Sequence, residues 1–410
     1  MDLVTLLLAA TAVSALYMAW NIGANDVANA MGTSVGSGAL TLRQALLAAA
    51  IFELAGAVFF GASVTETIAD GIVSLPAIEG DEVLLAAGLT GCLIAASIWL
   101  HFATRQGWPV STTHAIVGAV LGFGLVLGGP GAVDWGIVGA ITVGWLISPV
   151  LGGVVAWALF RFIQRGILQS ARPARGLLSF GPLAVFVMVA IPTHALLRDP
   201  RPPLALDLPL ATAGPIALAV GVLAALATRL VLARRLRSGP DRAGTAERLF
   251  QSLQVVTACF IALAHGSNDV ANAVGPMAAV FAAMGGTLTE SVAIPMNVLL
   301  LGAVGIILGL ATFGFRVMAT IGREITQLTA AHGFAAELGA ALTIVVASEL
   351  GLPVSTTQVL VGAVVGVGLS RSLGALNLRV LREIVFSWVS TVPVTAALAA
   401  IFAALARALL

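Results

Sequence analysis

The sequence predicts an all-α integral membrane protein with about twelve transmembrane segments in two inverted-topology repeats that contain broken or re-entrant helices. Three observations predict it. Apolar runs of about bilayer-spanning length recur from end to end of a 410-residue chain that is 59% hydrophobic and only 10% charged. The stretch "GANDVANAMG" at 23–32 returns as "GSNDVANAVG" at 266–275, an offset of 243. "FATRQGWPVSTTH" at 102–114 returns as "VASELGLPVSTTQ" at 346–358, an offset of 244.

Apolar runs between polar breaks place the first five spans near 3–34, 45–62, 83–104, 110–128 and 137–160. The opening run lacks a positive region ahead of it and carries Asp2, so it reads as a membrane span rather than a cleaved signal. Two spans follow near 178–197 and 210–233. A second five lie near 250–282, 292–315, 335–350, 354–370 and 380–406. Residues 1–165 thus read as a first repeat, 166–248 as a two-helix linker with Arg-rich loops, and 249–410 as a second repeat. Trp145 and Trp388 keep the first offset. Seven segments separate the two starts, so equivalent segments cross the bilayer in opposite directions.

Formal net charge is +1, and every one of the twenty basic residues is arginine. Their placement matters more than their sum. Arg161, Arg165, Arg172 and Arg175 crowd one loop, Arg234, Arg235, Arg237, Arg242 and Arg248 another, and Arg371, Arg379 and Arg382 a third. Short cytoplasmic loops collect such charge, which puts these loops inside and both termini outside. The acidic loop holding Asp70, Glu79, Asp81 and Glu82 belongs outside. No nucleic-acid-binding surface is suggested. Cys92 and Cys259 are isolated in apolar runs and read as packing residues.

Inverted repeats with breaks in matching places point to a secondary transporter whose site lies near the midplane where the repeats meet. In "NDVAN", Asn25, Asp26 and Asn29 share one helical face, as do Asn268, Asp269 and Asn272. A charged residue deep in a span costs at least about 2.5–3.5 kcal/mol, so Asp26 and Asp269 are functional candidates; the plain alternative is hydrogen bonding between helices. Pro109 and Pro353 suit a helix start, with Ser111 or Ser355 at the N-cap. Each "PVSTT" then opens a helix inside the membrane, whose free N–H groups and dipole favour an anion. The hydroxyls of Ser111, Thr112, Thr113, Ser355, Thr356 and Thr357 add donors, although such groups also patch kinked backbone. With Arg105 the one nearby arginine, a co-transported cation held by the Asp carboxylates, Asn carbonyls and freed backbone oxygens completes the charge. Oxygen ligands suit sodium, and a proton on an aspartate is the alternative.

The paired "NDVAN" and "PVSTT" motifs resemble the inorganic phosphate transporter (PiT) family over essentially the whole chain. That resemblance implies twelve helices in an inverted repeat, external termini, and symport of inorganic phosphate with sodium or protons. It adds Glu53 in "IFELAG" and Glu337 in "HGFAAELGAAL" as acidic residues important for transport. From composition alone, Glu53 is a suspicious mid-span acid while Glu337 reads as a charge at a span end. His114 faces Gln358 as its counterpart and His265 replaces Ile22, so the halves differ and neither histidine is given a catalytic role. His101 and His194 read as packing residues and His332 as a loop residue. The long hydrophilic cytoplasmic domain of eukaryotic members is absent, which suggests a compact bacterial form in an inner membrane.

The expectation is therefore a transporter, not an enzyme, with no resident cofactor. Phosphate, sodium ions (or protons) and the bilayer are its partners, and a homodimer is left open. Phosphate-binding candidates are the six hydroxyl residues with Asn25, Asn268, Asp26 and Asp269. Cation candidates are Asp26, Asn29, Asp269, Asn272, Glu53 and Glu337. Sulfate or a metal-phosphate complex is the rival cargo. An intramembrane aspartyl protease would also need two carboxylates but would not require the paired breaks, whereas a channel also uses helix ends and carbonyls and is told apart by coupling, since only a symporter accumulates its anion against a gradient.

Overall fold

A computed structural model describes residues 2–70, 82–200, 203–237, 243–285, 296–349 and 354–410. Every regular element among them is a helix. Nine are long and apolar enough to cross a membrane, and three shorter apolar helices, 112–127, 330–345 and 356–369, complete the expected twelve. The first five are α1 (Leu3–Gly36), α2 (Leu42–Asp70), α3 (Glu82–Gln106), α4 (Thr112–Leu127) and α5 (Trp135–Ile163). The middle pair α6 (Pro173–Arg198) and α7 (Leu210–Arg237) pack on one another.

The second set differs in detail. Its first span is two helices, α8 (Ala243–Asp269) and α9 (Ala271–Met284), interrupted at Val270 in the middle of the second "NDVAN". Pro276 in α9 removes one ladder N–H, and its ring crowds the carbonyl one turn back. Thr33 stands at the matching place of the unbroken α1. Then follow α10 (Met296–Phe313), the short α11 (Phe315–Ala319) leading into a π-turn at Thr320–Glu324, α12 (Ala330–Glu349), α13 (Thr356–Leu369) and α14 (Leu378–Leu409). Two boundaries correct the sequence reading. Because α12 starts at Ala330, Glu337 is two turns inside a helix and fully buried, not a span-end charge. His332 likewise lies in the first turn of α12, stacked on Phe160, rather than in a loop. Pro353, Glu79 and Asp81 fall outside the described residues.

Packing repeats across the halves. Helix α1 lies along α10 as α8 lies along α2, α4 lies against α14 as α13 lies against α5, and α3 meets α14 as α12 meets α5. Glycines set the closeness. A Cβ on Gly23 would overlap the Ile306 carbonyl as one on Gly266 would overlap that of Glu53. One on Gly122 would overlap the Ala396 carbonyl as one on Gly366 would overlap that of Gly153. Close approach of small residues is how helices associate where lipid removes the hydrophobic drive. These exchanges bring the "NDVAN" segments and the N-termini of α4 and α13 together.

Candidate functional site

Both "PVSTT" segments break the chain as expected. Ser111 and Ser355 hold extended backbone at the N-caps of α4 and α13. Each hydroxyl accepts from the backbone N–H three residues on, His114 or Gln358, at 3.3 Å. A capping serine satisfies one orphan donor and leaves its own O–H and the remaining first-turn N–H groups to others.

The two halves interlock at these first turns. Asn29 donates through Nδ2 to Thr357 Oγ1 at 2.9 Å and to Asp26 Oδ1 at 3.1 Å, while Thr357 donates to the same Asp26 oxygen at 3.2 Å. In the mirror arrangement Asn272 donates to Thr112 Oγ1 at 3.1 Å and Thr113 Oγ1 at 3.3 Å. Each asparagine of one half thus holds a threonine of the other. Asn25 is engaged differently. Its Oδ1 accepts from Val110 N (3.1 Å), and its Nδ2 donates to Trp108 O (3.1 Å) and Thr104 Oγ1 (2.9 Å). It closes the backbone groups that the first break frees, so its amide is spoken for by the fold. Asn268 donates to Asp269 Oδ1 at 3.0 Å. Ser355, Thr356 and Thr357 are buried around the same centre.

Sequence reasoning misses the residue that joins the carboxylates. His265 Nε2 lies 2.7 Å from Asp269 Oδ2, one turn further along α8, and 3.9 Å from Asp26 Oδ2; its Nδ1 lies 3.3 Å from Glu53 Oε1 on α2. All four side chains are at most 2% exposed. The available signal is the i, i+4 spacing of an ionisable pair within a span. Comparison of the repeats hides it, because His265 has no counterpart in the first half.

Glu337 belongs to a separate network. Oε1 accepts from Thr33, from Ser34 at 2.8 Å and from Gln254 at 3.2 Å, and Oε2 accepts from Thr257. It is fully supplied with donors. Arg105 is exposed, and its backbone carbonyl accepts from Arg316 Nη1 at 3.3 Å. His114 packs on Trp145 with ring centroids 3.7 Å apart, and His101 stacks on Trp20.

The chemical balance of the centre is distinctive. Asp26 Oδ2, Asn29 Oδ1, Asn272 Oδ1 and both Glu53 carboxylate oxygens are buried without a hydrogen-bond partner among the described residues. Buried polar atoms are ordinarily satisfied, and buried charges are ordinarily paired or bound to cations. Asp26, His265 and Asp269 offer ligand atoms that all lie within 4.8 Å of one another. Acceptor oxygens converge beside the hydroxyls and N-termini of α4 and α13. Such a site can take an anion on one side and a hard cation on the other.

Comparisons with known proteins agree with one another. The phosphate transporter family matches residues 22–399. An inorganic phosphate transporter 2-1, chloroplastic, of Arabidopsis thaliana is 45% identical over 96% of this chain and 71% of its own length. A putative phosphate permease of Haemophilus influenzae is 42% identical over 93% of this chain and 92% of its own. A solved structure described as the sodium-dependent phosphate transporter superposes with a TM-score of 0.92 at 38% identity, covering 98% of this chain and 100% of that one.

Proposed function

Because this chain belongs to the phosphate transporter family, a family of multi-pass membrane carriers rather than enzymes, we propose that it moves inorganic phosphate across the membrane by symport with sodium. The binding site lies between repeats 1–165 and 249–410, which run in opposite directions through the bilayer. Phosphate is held by the first-turn N–H groups of α4 and α13 and by the hydroxyls of Ser111, Thr112, Thr113, Ser355, Thr356 and Thr357. Sodium is held by Asp26, Asn29, Asp269 and Asn272. Glu53 and His265 complete the charge around Asp269. Asn25, with its amide engaged at Val110, Trp108 and Thr104, serves by shaping the break rather than by touching cargo.

One observation carries this reading: the buried Asn29 Oδ1 and Asn272 Oδ1, without a hydrogen-bond partner among the described residues, and Asp26 Oδ2, 3.9 Å from His265 Nε2, sit next to two capped helix N-termini. The sodium dependence in the description of the similar solved structure supports the choice of cation. Rocking of one repeat against the other then exposes the site alternately to each side.

The protein reconstituted in liposomes, given radiolabelled phosphate with an inward sodium gradient, an inward proton gradient or neither, tests the reading. Accumulation driven by sodium and resistant to excess sulfate is expected. Uptake driven by protons alone would hand the coupling to a second arrangement, the chain Glu53, His265, Asp269 and Asp26, where an imidazole bridges carboxylates. Competition by sulfate would overturn the assignment of cargo, and downhill flux under every gradient would make the protein a channel.

A further inference from the structure

An apolar groove of about 670 Å³ opens on the outer surface of the bundle between α5, α13 and α14, where Val150, Val154 and Val385 are exposed, a size in the ~300–1,000 Å³ range of small-molecule pockets. Val150, Val154 and Trp157 form one wall, Val365 and Leu369 the second, and Val385 belongs to the third. Along α5 it runs from Pro149 to Trp157, about 12 Å at 1.5 Å per residue, close to the ~15 Å depth of one hydrocarbon leaflet. That is the shape of an acyl chain slot.

Its mouth is charged. Arginines gather at one end of all three helices: Arg161 one turn beyond Trp157, Arg371 two residues beyond Leu369, and Arg379 and Arg382 at the start of α14, where Arg379 is paired with Glu383 at 3.3 Å. Helices α5 and α13 run parallel, since Gly362 meets the Pro149 carbonyl and Gly366 that of Gly153, so these ends coincide. Arg161 spends one nitrogen on Gln164 at 3.5 Å and Arg371 one on the Gln327 carbonyl at 3.1 Å. Arg382 is exposed and has no polar partner among the described residues. The repeat supplies a control. At the positions offset by 243, Arg161 corresponds to Ala404, Arg371 to Gly128 and Arg382 to Gly139, so none of the three recurs in the other half, although α14 carries Arg407 three residues beyond Ala404.

We propose that an anionic phospholipid is a bound ligand of this protein, one acyl chain lying in the groove and its headgroup phosphate at Arg161, Arg371 and Arg382. Guanidinium groups match phosphate oxygens in pairs. At the far end Trp388 lines the groove, and its Nε1 donates to the Pro109 carbonyl at 2.9 Å. The lipid therefore rests one side chain away from the break that opens α4.

Native mass spectrometry of the purified protein with equal amounts of phosphatidylglycerol and phosphatidylcholine tests this. Phosphatidylglycerol should be retained at least about fivefold better, the factor that corresponds to one arginine acting on an anionic lipid. R161Q/R382Q should erase the preference, and V154W, which fills the slot, should expel both lipids. Equal retention by the unaltered protein, or a preference that survives R161Q/R382Q, would overturn the proposal and leave the arginines as setters of orientation alone. If V154W dissolves a dimer seen by light scattering while lipid retention stands, the groove seats a second copy and the lipid assignment fails. None of these readings depends on which anion is carried.

Discussion

The two crossings α1 with α10 and α8 with α2 use the same backbone contacts and opposite chemistry. At the first, Gly23 meets the Ile306 carbonyl; at the second, Gly266 meets that of Glu53. The neighbouring residues on the glycine helices are Ile22 and His265. Two isoleucines buried to 1% exposure or less thus occupy the place where the other crossing keeps a histidine and a glutamate. The backbone frame tolerates either pair. The glycine-to-carbonyl contact recurs at both crossings, whereas ionisable side chains stand beside it only where α8 crosses α2.

His265→Ile, which copies the first half into the second, should have the largest effect. It strands Glu53 and Asp269 as buried carboxylates, a loss of about 3–5 kcal/mol for breaking a buried pair, and should abolish uptake. H265I/E53I should recover the part of the lost thermal stability that belongs to Glu53, with Asp269 still stranded and uptake still absent, because well-packed apolar pairs commonly replace buried ion pairs at little cost. Unfolding curves and liposome uptake measured on both variants separate scaffold from function; a double variant no more stable than the single one would refute the equivalence of the crossings.

Thr357 and Thr113 sharpen the comparison at the interlock. Thr357 serves Asn29 and a carboxylate, whereas Thr113 serves Asn272 alone, at 3.3 Å. Thr357→Val should cost about 1.5–3 kcal/mol, the range of a hydrogen bond to a charged group, and Thr113→Val about 1 kcal/mol. The expected readout is a greater loss of uptake, by about tenfold or more, for the second-half threonine. Equal losses would mean that the Asp26 contact contributes nothing.

Scaffold glycines should behave alike. Gly122→Ala and Gly366→Ala each force a methyl against a facing carbonyl, and each should lower stability by about 1–3 kcal/mol, to a similar melting temperature. Markedly different shifts would break the packing symmetry. Smallest are the caps: Ser111→Ala and Ser355→Ala should each cost about 1 kcal/mol of stability, the usual loss of an N-cap.

Much of this is legible in the sequence, for reasons visible in particular residues. The serine caps and the face shared by Asp26 and Asn29 follow from local geometry, and local geometry is what spacing encodes. The twelve segments follow from length and hydropathy. The bridge from His265 to Glu53 is not legible, because it joins α8 to α2 and the repeat comparison treats His265 only as a mismatch with Ile22. Asn25 reads as a cargo ligand when its side chain is taken with its neighbours along α1, while the groups it satisfies lie 79 to 85 positions away. Glu337 is misplaced by the sequence because apolar composition marks where a span crosses lipid and not where its helix begins.

The interlock of Asn29 with Thr357 also bears on how the chain is made. The two residues are 328 positions apart, so at about 5–20 residues per second the ribosome delivers the partner roughly 16–66 s after the first helix emerges. During that interval Asp26 and Asn29 must reside in a half-built bundle at an insertion cost of about 2.5–3.5 kcal/mol for the acid. Assembly of this membrane protein therefore closes like a clasp, with the earliest segment waiting for one of the last.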